Sequence, residues 1–387
     1  MKNGKVVVVQ LIPWISEGGA ETLVKDYAVN IDKRRFDIHI LTSLMSSVTS
    51  SNLLQILQAD VDVLSPYKWG GSSLLSKIVR YIGNFFKSPR LEESKRANFI
   101  KQNILRLQPD VIHVHMQMLK YLYPIADLLG NTRLYYTCHS LPHRYFNEDT
   151  EKDEFEAAKY LIKHNGLKLV ALHNGMRVEL NKMFGVDNTI VLRNCVNFAR
   201  FKDVEESKED IRMSLNVPTD SFVLGHVGRF SYIKNHKYIV EIFKKLIVRR
   251  PNSFLLLIGS GCTKKEIVQM LNECGLYNKS LILPARGDIP RMMKAMDVFV
   301  LPSLFEGLPI VTIEAQVSGL RTIVSSQVPE DVLFSENALS LDINVDPQVW
   351  VNAIVDTNIK GTVYNDIKNY DVENVMRTVE QLYSNVK

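Results

Sequence analysis

Short apolar runs alternate with amphipathic stretches along most of the chain. Residues 5–11 form a β-branched run, closed by the turn Glu17-Gly18-Gly19. Leu23, Val24, Tyr27, Ala28 and Ile31 then recur at helical spacing. Further strand-like runs cover 36–41, 61–64, 110–114, 134–137, 169–172 and 190–192, mostly separated by helix-period segments. Such alternation predicts a doubly wound parallel α/β sheet. Around Cys195 to Glu209 the chain turns polar and charged, and the alternation then restarts at 222–226, 254–258, 281–283, 298–301, 322–325 and 339–342. Two such sets, with no sequence repeat between them, predict two Rossmann-like α/β domains facing each other across a cleft, residues 1–200 and 201–370. Residues 371–386 read as a final helix, and 43–52, rich in serine, as a mobile loop.

The most informative stretch is 296–326, MDVFVLPSLFEGLPIVTIEAQVSGLRTIVSS. Val298 to Leu301 suits a buried parallel strand, stopped by Pro302 and Ser303. Gly307 permits close backbone approach to a ligand, and Pro309 suits the first turn of a helix whose inner face is Ile310, Ile313 and Val317. Glu306 then lies in the loop at the carboxyl end of a strand and Glu314 about one turn into the helix. Both can face the crevice where open parallel sheets bind ligands. Glutamates near a helix start also occur as surface residues that complement the helix dipole.

A second string, HVGRFSYIKNHKYIVEIFKKLI, places Arg229 and Lys234 between a strand end and a helix start. There a diphosphate would gain backbone N–H groups, the helix dipole and two fixed cations. Fixed cations there would stabilise negative charge that develops on a phosphate.

LPSLFEGLPIVTIEAQVSG resembles the E-x7-E signature of the retaining family-4 (group 1) glycosyltransferases of GT-B fold, and GRFSYIK their GR-x4-K element. The resemblance spans nearly the whole chain. It implies that Glu306 contacts the transferred sugar, that Glu314 holds the ribose hydroxyls, and that Gly307, Leu308 and Pro309 line the nucleotide site. It implies phosphate binding by Arg229 and Lys234, and a glycine loop at Gly18 and Gly19 approaching the diphosphate. Arg286 falls where family members hold the base, with Ala285 where a glycine is common. His115, at the end of DVIHVHMQ, corresponds to a histidine near the donor sugar. Period 2 puts His113 on the same face, and His139, in TCHS, is a further candidate. The final helix, residues 371–387, is expected to cross back onto the first domain.

The implied activity is retaining transfer, without a metal or other cofactor, from a nucleotide sugar, UDP favoured over GDP. The implied acceptor is a glycan or polyprenyl-linked oligosaccharide in bacterial surface polysaccharide synthesis. No Asp-x-Asp pair stands at the carboxyl end of a strand to hold Mg or Mn. The alternatives are a nucleotide-sugar 2-epimerase, which shares two facing α/β domains, and a catalytically inactive nucleotide-sugar-binding partner subunit.

Composition narrows this little further. With 387 residues, 46% apolar and 23% charged, the chain is globular and suits two domains. A net charge of +5 is spread along the sequence without a nucleic-acid-binding module. Residues 68–106 are locally basic, nine Lys and Arg against Glu92 and Glu93, interleaved with Tyr81, Ile82, Phe85 and Phe86. That stretch suits either an anionic membrane surface or a solvated helix face. The four cysteines match neither a zinc ribbon nor a CxxC pair, so free thiols are expected. No apolar run reaches membrane-spanning length, so a cytoplasmic protein, peripheral on the inner face of the plasma membrane if the basic stretch binds lipid, is expected.

Overall fold

The computed structural model describes residues 4–44, 46, 50–67 and 89–384. Residues 68–88, which hold the four aromatic and isoleucine side chains of the basic stretch, lie outside the described residues.

The chain divides into two compact units, Met1–Leu192 with Met376–Lys387, and Arg193–Val375. In the first unit, seven strands among the described residues make one parallel sheet, β1 (Val6–Ile12), β2 (Phe36–Thr42), β3 (Asp62–Leu64), β4 (Val111–His115), β5 (Arg133–Thr137), β6 (Lys168–Ala171) and β7 (Ile190–Val191). Their order is β3-β2-β1-β4-β5-β6-β7. β1 is buried along its whole length, as a strand covered by helices on both faces must be.

The second unit holds β8 (Phe222–Val227), β9 (Ser253–Ile258), β10 (Ser280–Leu283), β11 (Val298–Leu301), β12 (Arg321–Ser325) and β13 (Ala338–Leu341), ordered β10-β9-β8-β11-β12-β13 and again all parallel. Its core joins Leu224, Leu255, Leu257, Val298, Val300 and Ile323 to Ile239, Phe243 and Leu246 of the helix His236–Arg249 and to Trp350. Both orders reverse direction beside the first strand of the set, at β1/β4 and at β8/β11. Those are the switch points where ligands bind at the carboxyl ends of the strands.

Residues 193–200, expected in the first domain, belong with the second unit. Asn194 Nδ2 donates to the Leu308 carbonyl at 2.5 Å, and Val196 pairs with Asp371. The serine-rich stretch is not loop throughout, because the Ser50 hydroxyl accepts from the Leu53 amide and caps the helix Ser51–Gln58; residues 45 and 47–49 lie outside the described residues.

The last helix, Val372–Ser384, begins in the second unit and crosses to the first, to which it belongs from Met376 onward. Val375, Met376, Val379 and Tyr383 are its buried stripe. Its carboxyl end is held by Arg133, whose Nη1 and Nη2 donate to the carbonyls of Leu382 (3.0 Å) and Tyr383 (2.6 Å). A cation there meets carbonyls that have no partner within the helix. All four cysteines are free, and among the described residues no helix is long and apolar enough to cross a membrane.

Candidate functional site

In the second unit, β11 is in register with β8 only at Val298–Leu224 and Phe299–Gly225, so the carboxyl ends of the two strands part. The next residue, His226, bridges the gap with its side chain, Nδ1 lying 2.9 Å from the Val300 carbonyl. Gly228 and Arg229 follow on the β8 side, and Ser303 to Glu306 on the β11 side. The Leu304 amide donates to the Ile233 carbonyl at 2.8 Å, which ties the two loops together. As a result Lys234 Nζ meets Glu306 Oε1 at 2.5 Å, with both side chains largely shielded from solvent.

Glycine is required where these loops cross. A Cβ on Gly259 (φ +156°) would lie 2.0 Å from the Gly228 carbonyl oxygen, a backbone clash that no rotamer relieves. Glu306 and Glu314 flank the start of the helix Ile310–Val317, with Pro309 at its N-cap, and Glu314 is its fifth residue. Gly307, Leu308 and Pro309 are buried, while Glu306 and Glu314 are partly exposed. Arg229 is exposed. Arg286 is partly exposed and engaged bidentately by Asp288, and that contact raises its pKa further. Of the second-unit candidates, the described contacts bring Lys234 and Glu306 together directly.

Beneath Lys234 lie two histidines that sequence reasoning did not single out. His236 stacks on Phe230, ring centres 4.2 Å apart, and meets His226 edge-on at 4.7 Å. Both ring nitrogens of His236 and Nε2 of His226 are buried without a hydrogen-bond partner. Burial drives the His236 pKa down to about 4 and that of His226 well below its usual value, with Lys234 adding to the effect at both. At neutral pH neither adds positive charge, which leaves Arg229 and Lys234 as the cations of this loop.

In the first unit, Gly18 is the N-cap of the helix Gly19–Asn30. A Cβ there would lie 2.2 Å from the Glu21 carboxylate, which accepts from the Ser16 hydroxyl at 2.8 Å. Glu17 accepts from the amide and hydroxyl of Ser51, and Asn52 Nδ2 donates to the Ser16 carbonyl at 2.8 Å, so the glycine turn is anchored by the next helix.

The strand-end histidines form a buried chain. His113 and His115 share a face of β4 and stack at 4.4 Å. His115 is 0% exposed and both its nitrogens are engaged, Nε2 with Gln10 Oε1 at 2.7 Å and Nδ1 with His139 Nε2 at 2.9 Å. His113 Nδ1 lies 2.5 Å from the Tyr383 hydroxyl, and its Nε2 lies 2.7 Å from Thr137 Oγ1. His139, just beyond β5, is the one of these three histidines that is partly rather than fully buried. Burial holds His113 and His139 near a pKa of about 3 and lowers His115 as well, so all three stay neutral near pH 7. A signal for this cluster was present in VVVVQLI, where one polar Gln10 interrupts an otherwise apolar strand. Nothing in the sequence pointed to Tyr383.

Comparison with known proteins agrees with this architecture. Residues 207–356 match the family model "Glycosyl transferases group 1", and residues 17–200 match "Glycosyltransferase Family 4". The chain is 24% identical to the putative glycosyltransferase EpsF of Bacillus subtilis, over 86% of this chain and 82% of that one. It is 21% identical to the capsular polysaccharide biosynthesis glycosyltransferase CapH of Staphylococcus aureus, over 98% of each. It is 27% identical to an Escherichia coli UDP-Gal:alpha-D-GlcNAc-diphosphoundecaprenol alpha-1,3-galactosyltransferase, over 70% of this chain and 74% of that one. Among solved structures, Anabaena HepE, crystallised with UDP and glucose, superposes with a TM-score of 0.75 at 19% identity, covering 98% of this chain and 99% of that one. With two parallel sheets of GT-B type and a family match over each unit, the chain belongs to the group 1, family-4 glycosyltransferases.

Proposed function

We propose that this glycosyltransferase moves a sugar from a UDP-sugar to a glycan or polyprenyl-linked acceptor in bacterial surface polysaccharide synthesis, with retention at the anomeric carbon and without a metal. The observation that carries this reading is the Lys234–Glu306 contact, which sets a cation and a carboxylate side by side at the β8/β11 switch point. Lys234 and Arg229 bind the diphosphate, Glu306 meets the transferred sugar, and Glu314 holds the ribose. Gly307, Leu308 and Pro309 form the wall of the nucleotide site. Gly18 and Gly19 are the close-approach turn of the first unit. Arg286, already committed to Asp288, has the least scope to read the base.

As the bond from the anomeric carbon to the β-phosphate oxygen breaks, its electron pair stays with the diphosphate, where Lys234 and Arg229 stabilise the charge. The acceptor hydroxyl oxygen bonds to the same face of that carbon, and its proton passes to the departing phosphate. Among the histidines, exposure favours His139 over His115 as the group that meets a substrate hydroxyl, with His115 behind it. The names of EpsF, CapH and the galactosyltransferase, and the UDP in HepE, support the choice of reaction and nucleotide.

The test is a thermal-shift screen with UDP, GDP, CDP and ADP, followed by nucleotide release from the matching sugars with and without lipid-linked acceptors. Saturating UDP at 100 times its Kd is expected to stabilise the protein by about 2.7 kcal/mol. Absence of any nucleotide-dependent shift would sink the reading.

A further inference from the structure

We propose that Tyr383, Gln10 and His115 form a positioning relay that holds His139 as the Nε2–H tautomer, leaving its Nδ1 to accept a hydrogen bond from a substrate hydroxyl. What His139 acts on rests on the glycosyl-transfer reading above; the relay itself rests on hydrogen-bond geometry within the first unit.

The protons follow from what each group can donate. Gln10 Nε2 lies 2.9 Å from the Tyr383 hydroxyl, and Gln10 Oε1 lies 2.7 Å from His115 Nε2. An amide oxygen only accepts, so His115 carries its proton on Nε2. A neutral imidazole has one N–H, so His115 Nδ1 is an acceptor. Its partner His139 Nε2, 2.9 Å away, is therefore the donor. Burial keeps both rings neutral, and His139 is left with an unprotonated Nδ1. On the other side of Gln10, the Tyr383 hydroxyl accepts from the amide and gives its own proton to His113 Nδ1 at 2.5 Å. His113 Nε2–H then donates to Thr137 Oγ1 at 2.7 Å.

Every member but the last is shut away: Gln10 and His115 are 0% exposed, and His113, Thr137 and Tyr383 are 1% exposed. In so buried a chain each proton position constrains the next, because an unmatched donor or acceptor has no water to turn to. Reversing the Gln10 amide would require every proton in the chain to shift, and His139 would then present an Nδ1–H donor instead. The two arrangements make opposite offers to a substrate oxygen, and in the one proposed Tyr383, on the last helix, receives the Gln10 amide. Gln10 and Tyr383 lie 373 residues apart, so the carboxyl-terminal helix completes the strand-end histidine cluster.

The experiment uses the full chain labelled with 15N-histidine. Long-range 1H–15N spectra, with His139 assigned from His139→Ala, are expected to show His139 protonated on Nε2 and bare on Nδ1. A predominant Nδ1–H tautomer in the wild-type protein overturns the relay, whatever any variant does. Tyr383→Phe keeps the ring and removes the hydroxyl. It is expected to mix the His139 tautomers and to lower kcat for UDP release from UDP-glucose or UDP-galactose about tenfold, on the scale of a single hydrogen bond. The Kd for UDP should stay unchanged. In a His139→Ala background the same substitution should cost less than about twofold, since partners in one network are not additive. An equal loss in both backgrounds would make Tyr383 a purely structural residue and refute the proposal. Full turnover by His139→Ala would refute the role of His139 in transfer, while the tautomer spectrum separately reports whether the relay exists.

Discussion

Lys234 and Glu306 are 72 residues apart in sequence and 2.5 Å apart in the fold. Their loops leave adjacent strands of a parallel sheet at the point where the strand order reverses, so the contact is a product of topology. It also couples the two roles proposed for this unit, because the cation proposed to meet phosphate is held by the carboxylate proposed to meet sugar.

That coupling predicts the behaviour of single and double variants. Lys234→Ala should slow turnover roughly 10²-fold, as should Arg229→Ala, since each removes a cation facing charge that grows during bond breaking. Lys234→Ala also leaves the partly buried Glu306 carboxylate without its partner. The double variant Lys234→Ala/Glu306→Ala should therefore melt at a higher temperature than Lys234→Ala alone. Unfolding curves of the four proteins test the coupling, and unchanged turnover in both Arg229→Ala and Lys234→Ala would remove the phosphate assignment.

The two glutamates should separate under calorimetry with UDP alone. A carboxylate on the ribose hydroxyls is a charge-assisted contact worth about 1.5–3 kcal/mol, so Glu314→Ala should raise the Kd for UDP roughly 10- to 150-fold. Glu306→Ala should weaken UDP binding far less, since it reaches the diphosphate only through Lys234, and should mainly reduce kcat, because its proposed partner is the sugar. Equal weakening by the two substitutions would show that the division of roles is wrong.

Treatment with EDTA should leave the rate of UDP release within about twofold if Arg229 and Lys234 are the groups that offset the phosphate charge, as proposed. A strict requirement for added Mg or Mn would contradict this.

Stability should respond to pH through Glu154. This carboxyl is buried and accepts from the amides of Leu119 (2.8 Å) and Lys120 (3.1 Å). Burial nonetheless dominates and pushes its pKa up from 4.5 to about 7. A raised carboxyl pKa means that the folded state binds the proton more tightly. Its stabilising contribution is complete below pH 4.5 and is lost as the pH rises to 7, amounting to ~3 kcal/mol. Glu154→Gln, which cannot titrate, should flatten that part of the stability profile in urea titrations between pH 4.5 and 7.5. An unchanged slope would remove Glu154 as its source.

Much of the fold was legible because parallel strands buried on both faces must be apolar runs. Val298 to Leu301 was read at its true bounds, and the other strands fell within a residue or so at either end. The helix at Ile310 could be placed because Pro309 and Gly319 punctuate it, Gly319 with φ at +74°. The serine-rich stretch misled because Ser50 is as good a helix cap as it is a loop residue, and only the following turn shows which role it takes.

The sequence by itself therefore determined what period and punctuation encode: the parallel strands, the two sheets, and the strings that carry Arg229, Lys234, Glu306 and Glu314. Tertiary structure alone decided which of these side chains meet. Strand order brings Lys234 to Glu306, and the carboxyl-terminal helix brings Tyr383 to His113 across 270 residues. It also decided that His115 is fully enclosed while His139 is only partly so. Alternation assigns a strand residue to a face of the sheet, but exposure depends on what covers that face, and here Tyr383, from the far end of the chain, packs on His113.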